Sequence, residues 1–79
     1  MYTIVEGKAI AIEFIVKESD DFIINKELKT LKFKEGVLIA SIKHENDIYM
    51  VNGSSVIRPF DSVVVVTRLN SVNTLKDIL

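Results

Sequence analysis

His44 is the one histidine of the 79-residue chain, and there is no cysteine. That composition excludes a paired-histidine metal site and any thiolate, whether as ligand or as nucleophile. His44 ends an apolar run beside Glu45, where a lone imidazole reads as a solvated hairpin residue. Ser54 and Ser55 have no base placed next to them and read as turn residues. Asp20 and Asp21 offer the hard oxygens that suit calcium or magnesium, but the regular ligand spacing of a dedicated loop is missing. A solvated acidic turn is expected there. Gly7, Gly36 and Gly53 are scattered, so neither a phosphate-cradling loop nor a dinucleotide turn is formed. No catalytic and no metal-ligating residue is assigned, and the chain is expected not to be an enzyme.

Lys26, Lys29, Lys32 and Lys34 are the remaining group with chemical potential. On a helix, residues three apart share a face, and such a face can receive the phosphates of an anionic ligand. An ordinary solvated helix face is the plainer reading.

These residues must be carried by a small set of elements. "KAIAIEFIVK" (8–17) alternates as a strand, with Ile10, Ile12, Phe14 and Val16 on one face and Ala9, Ala11, Glu13 and Ile15 on the other. Ile15 makes the second face partly apolar, so this strand is expected to touch something on both sides. "FIINKELKTLKF" (22–33) begins apolar and then reads as one or two turns of helix ended by Gly36. "VLIASIKH" (37–44) is a strand, Asn46-Asp47 a hairpin turn, and "IYMV" (48–51) a short strand. "DSVVVVTR" (61–68) has no polar alternation across its four valines, which predicts a central strand buried on both faces. "NSVNTLKDIL" (70–79) places Val72, Leu75, Ile78 and Leu79 at helical spacing after Asn70 or Ser71 as N-cap. The expected order is strand-helix-strand-strand-strand-helix. That is an α+β fold, a mainly antiparallel sheet with helices on one side.

The composition bounds the rest. Hydrophobic residues make up 48% and charged residues 27%, as in a folded domain, and residues 1–79 are read as a single one. The formal net charge of −1 advertises no nucleic-acid surface. No apolar run approaches the ~20 residues of a bilayer span, so no direct membrane insertion is expected. A core this small and unstapled gains from burying a face against a partner.

Four segments, in order, carry a resemblance: "EGKAIAIEFIVKES", "INKELKTLKF", "GVLIASIKHENDIYMVNGSSVIRPFDSVVVVT" and "NSVNTLKDIL". From Glu6 to Leu79 the chain resembles the TrkA C-terminal domain, the C-terminal lobe of the RCK (regulator of potassium conductance) module. Its opening strand is most similar to that of Trk-type potassium uptake regulatory subunits. The resemblance implies a non-catalytic, cytoplasmic regulatory domain, peripheral to the cell membrane. It would dimerise and sense a small ligand to gate potassium transport, with a membrane potassium transporter subunit as partner of the full-length protein. Alternatives are the same lobe attached to an anion permease or a cation/proton antiporter, or a free-standing small-molecule sensor.

The resemblance also implies an upstream nucleotide-binding lobe, to which NAD(H) or ATP would belong. Domain sequence follows Met1 at once, so the chain is expected to be a C-terminal piece of a longer regulatory subunit, with no cofactor in this domain. In relatives that bind cyclic di-AMP the dimer cleft uses paired isoleucines, an arginine and an asparagine. Ile23 and Ile24 match the first, while Lys32 and Leu38 stand near the other two places. Lysine lacks the planar fork of arginine and leucine cannot hydrogen-bond, which argues against that ligand here. Ile12, Phe14 and Val16 are the expected dimer contacts of a homodimer. Finally, the family usually has glycine where Phe60 stands. Phe60 is expected to keep φ negative and to pack its ring on the domain or a partner, with Asp61 accepting local backbone N–H groups.

Overall fold

The computed structural model describes residues 2–5 and 9–79, with side chains considered from residue 9 onward. Five strands form one antiparallel sheet: β1 (Tyr2–Val5), β2 (Ala9–Ile15), β3 (Val37–His44), β4 (Asp47–Tyr49) and β5 (Ser62–Thr67). Their spatial order is β1-β2-β5-β3-β4. β5 is thus central, as its valine run predicts. Its two faces differ, however. Val63, Val65 and Thr67 are buried, whereas Ser62, Val64 and Val66 on the alternate face stay half-exposed.

The inner face of the sheet and one irregular layer enclose the core. Val16, Ile39, Ile42, Val63 and Val65 from the sheet side meet Ile23, Ile24, Leu28, Ile57, Val72, Leu75 and Ile78. Ile12 and Phe14 pack against this cluster too. The alternation of β2 therefore points Ile12, Phe14 and Val16 inward, and Val16 is fully buried.

The layer over the sheet is not helical, so the fold is mainly β. Where a helix over 22–33 is expected, only a 3-10 turn, Leu28–Thr30, forms. The reason lies in the hydrogen bonds. The N–H groups of Asn25, Leu28 and Lys29 donate to Ile57, Ser55 and Gly53 carbonyls at 2.8–2.9 Å. An amide committed across the chain cannot close an i to i−4 bond. Asn25 also takes φ +59°, outside the helical region.

The terminal helix likewise contracts to a 3-10 turn, Leu75–Ile78, with Thr74 at its N-cap rather than Asn70 or Ser71. Val72, Leu75 and Ile78 recur every three residues, which is the period of a 3-10 rather than an α-helix. The Asp77 carboxylate accepts the N–H groups of Asn73 and Thr74 at 2.8 and 2.9 Å. Those donors, Asn73 first, hold its carboxyl below the ordinary carboxylate value.

β3 carries one irregularity. Ile39 pairs with Val65 and Ser41 with Val64, so Ala40 is an extra residue bulged out of the ladder. The Glu45-Asn46 turn, with Glu45 at φ +56°, returns the chain into β4.

Candidate functional site

The face of the sheet turned away from the core carries exposed apolar side chains among the described residues. Register places its side chains in rows: Ala11, Val66 and Leu38; then Glu13, Val64 and Ser41; then Ile15, Ser62 and Lys43. Leu38 is 63% and Ile15 61% exposed, large values for aliphatic side chains on paired strands. The polar members are partly satisfied among themselves, since Ser62 Oγ donates to a Glu13 carboxylate oxygen. Ile15 and Leu38, with the half-exposed Val64 and Val66, are left as apolar surface, while Ala11 is buried. A contiguous apolar field of this kind marks an interaction surface.

The residues expected to build a ligand cleft do not converge. Ile23 and Ile24 are core residues at 0% and 9% exposure, beneath the inner face. Leu38 lies on the opposite face, and Lys32 is exposed on the strap that follows the first 3-10 turn. The expected dimer contacts Ile12, Phe14 and Val16 point into the chain's own core, and Val16 has no surface left to offer. The apolar face that remains is the other one, of which the sequence marked only Ile15. Val64 and Val66 were hidden inside a run that showed no alternation.

The lysines do not share a helix face, because no helix carries them. Lys26 Nζ donates to the Asp21 carbonyl at 2.7 Å, and Lys29 Nζ lies 3.7 Å from Glu27. Asp20 closes its own turn by accepting the Lys17 N–H at 2.9 Å. Ser54 and Ser55 do the same around Asn52: Ser55 Oγ accepts the Asn52 N–H and Asn52 Oδ1 accepts the Ser54 N–H, at 2.9 and 2.8 Å.

The turn before β5 differs from expectation at Phe60. Phe60 adopts φ +72° and is 70% exposed, instead of keeping φ negative and packing. The Asp61 N–H donates to the Arg58 carbonyl at 3.2 Å. With proline second and positive φ third, this is a type II turn, whose third position favours glycine. The geometry is imposed from outside: Phe60 N–H donates to the Val16 carbonyl at 2.7 Å, and Val16 N–H to the Asp61 carbonyl at 2.9 Å. These bonds continue the β2–β5 ladder and fix the turn against the end of β2.

Asp61, by contrast, behaves as a turn residue and more. Its Oδ2 accepts the Arg58 N–H at 2.9 Å, as expected. Its Oδ1 bonds Nδ1 of His44, so His44 is not a solvated hairpin residue. Two residues 17 apart in sequence close this contact, and nothing in local spacing announces it.

A model of the TrkA-C domain matches residues 11–79. No curated protein matches the chain.

Proposed function

Because this chain belongs to the TrkA-C domain family, we propose that it is the regulatory lobe of a Trk-type potassium uptake system, acting as a two-fold dimer through the outer face of its sheet. TrkA-C domains are typically regulatory parts of cation transport systems and are generally non-catalytic. Among the described residues no helix is long and apolar enough to cross a membrane. A regulatory lobe of this kind would work from the cytoplasmic side, coupled to a membrane transporter through the rest of the subunit.

The observation that carries the dimer is the apolar surface of Ile15, Leu38, Val64 and Val66 on β2, β3 and β5. A two-fold axis would lay this field on its own copy, the self-complementary arrangement of symmetric dimers. Leu38 would then lie at the seam between copies. A small ligand held there would change the relative geometry of the lobes and bias the transporter through a population shift.

Sedimentation velocity across micromolar concentrations tests the dimer. The 8.9 kDa chain is expected to sediment as a dimer, and Leu38→Glu as a folded monomer. A wild-type chain that stays monomeric overturns the arrangement. Potassium uptake by cells carrying Leu38→Glu in the full-length subunit tests the role, with impaired regulation expected and unchanged uptake overturning it.

A further inference from the structure

A second surface, on the opposite side of β3's end, has the makings of a binding site in a single chain. Arg58, His44, Tyr49, Met50, Ile42 and Val56 line a groove of about 210 Å³ with the Asp61 carboxylate at its back. That volume is about seven waters' worth at about 30 Å³ each, room for one small ring with its charged group.

Arg58 is the polar group that suits the groove to a ligand carrying a negative charge. Asp61 is 1% exposed, and its carboxylate is covered by the His44 imidazole and the Arg58 N–H. A carboxylate partner can only accept, so Nδ1 of His44 carries the proton, and Nε2 of the neutral ring faces the groove as a hydrogen-bond acceptor. The guanidinium of Arg58 makes no ion pair among the described residues. Its fork therefore stands ready for a planar carboxylate or a phosphate. Glu45 is the acidic side chain nearest Nε2, at 3.9 Å, and with 83% of its side chain in solvent it can turn away.

The other walls are apolar and aromatic. Tyr49 is 48% and Met50 92% exposed, although both belong to side-chain types that gain most from cover. Ile42 and Val56 make the floor. An aromatic ring fits between them, through offset stacking on Tyr49 and a sulfur–aromatic contact with Met50.

We propose that this groove binds a small aromatic anion, a carboxylate or a phosphate monoester, with the Arg58 guanidinium on the charged end and Tyr49 and Met50 on the ring. All of these groups come from one chain, so the site does not depend on the dimer.

Nitrogen-15 NMR titration of the 79-residue chain tests it with four probes: benzoate, phenyl phosphate, inorganic phosphate and benzyl alcohol. Saturable shifts are expected at Arg58, Tyr49, Met50 and Ser55 with at least one of the two aromatic anions, and weaker ones with the last two probes. Which aromatic anion saturates first separates a carboxylate source from a phosphate source. Arg58→Met keeps the backbone N–H that Asp61 uses and is expected to weaken binding at least about tenfold, as loss of a paired charge does. Tyr49→Leu is expected to weaken it as well. An unchanged urea midpoint shows that each variant is folded. No saturation below about 10 mM, a weakest acceptable affinity, overturns the proposal. So do shifts that saturate as tightly in Arg58→Met as in wild type, or that map to the outer sheet face or the lysines instead.

Discussion

The imidazole of His44, at the end of β3, hydrogen-bonds through Nδ1 to the buried carboxylate of Asp61, at the turn into β5. One carboxylate therefore ties a strand end to a turn, because its second oxygen holds the Arg58 N–H. Replacing Asp61 by alanine leaves both donors without their acceptor. The expected loss is about 2–3 kcal/mol, the scale for orphaned buried polar groups. Urea denaturation measures it, and Asp61→Asn, which keeps an acceptor oxygen, is expected to lose less.

Phe60 is held in a left-handed conformation by the bonds that join its turn to Val16. For a residue with a Cβ that conformation costs about 1–2 kcal/mol. Phe60→Gly is expected to stabilise the chain by about 1 kcal/mol once the greater freedom of glycine in the unfolded chain is subtracted. Phe60→Ala keeps the strain and is expected to bring no such gain. Equal melting temperatures for the two variants would contradict the strain.

Asp77 gives the C-terminal turn a dependence on pH. Its carboxyl is held below the ordinary value by the Asn73 and then the Thr74 N–H. A carboxylate depressed in the folded state contributes its stability above the unfolded value and loses it as pH falls through the folded one. Wild type is therefore expected to lose more stability than Asp77→Asn on acidification from neutral pH to about pH 2, the span over which such carboxylates titrate. Parallel urea titrations at several pH values check the difference, and parallel curves would contradict it.

Ile23 and Leu38 separate core from surface. Ile23 is fully buried and Leu38 is 63% exposed. Ile23→Ala is expected to cost about 2–5 kcal/mol by leaving a cavity. Leu38→Ala, measured on dilute monomer, is expected to stay within about 0.5 kcal/mol of wild type. Comparable losses at the two positions would contradict the assignment of faces.

Much of the sheet was legible in the sequence because alternation is a direct imprint of which way a strand residue points. The shared facing of Ile12, Phe14 and Val16, and the central place of the valine run, follow from that pattern. The valine run gave no clue to its outer face, since a valine on either side of a strand looks the same in sequence. The helices failed for a different reason. Spacings such as Leu28 to Leu31 and Val72 to Leu75 suit both α and 3-10 periods, and for the first segment the choice was made by amides bonding to residues 53–57. Contacts such as His44 with Asp61 depend on β3 and β5 being neighbours, which no local window contains. Phe60 shows tertiary bonding overriding a residue's own backbone preference.

The bulge at Ala40 uncouples the length of β3 from the facing of its side chains. Leu38 and Ser41 point outward and Ile39 and Ile42 inward on either side of a residue that the ladder does not count. Removing one residue from a strand ordinarily turns everything beyond it inside out. Here the loss of Ala40 would leave a regular strand with every later side chain on its present side. The chain thus holds, next to its most central strand, a position where a codon can be deleted without reversing the sheet.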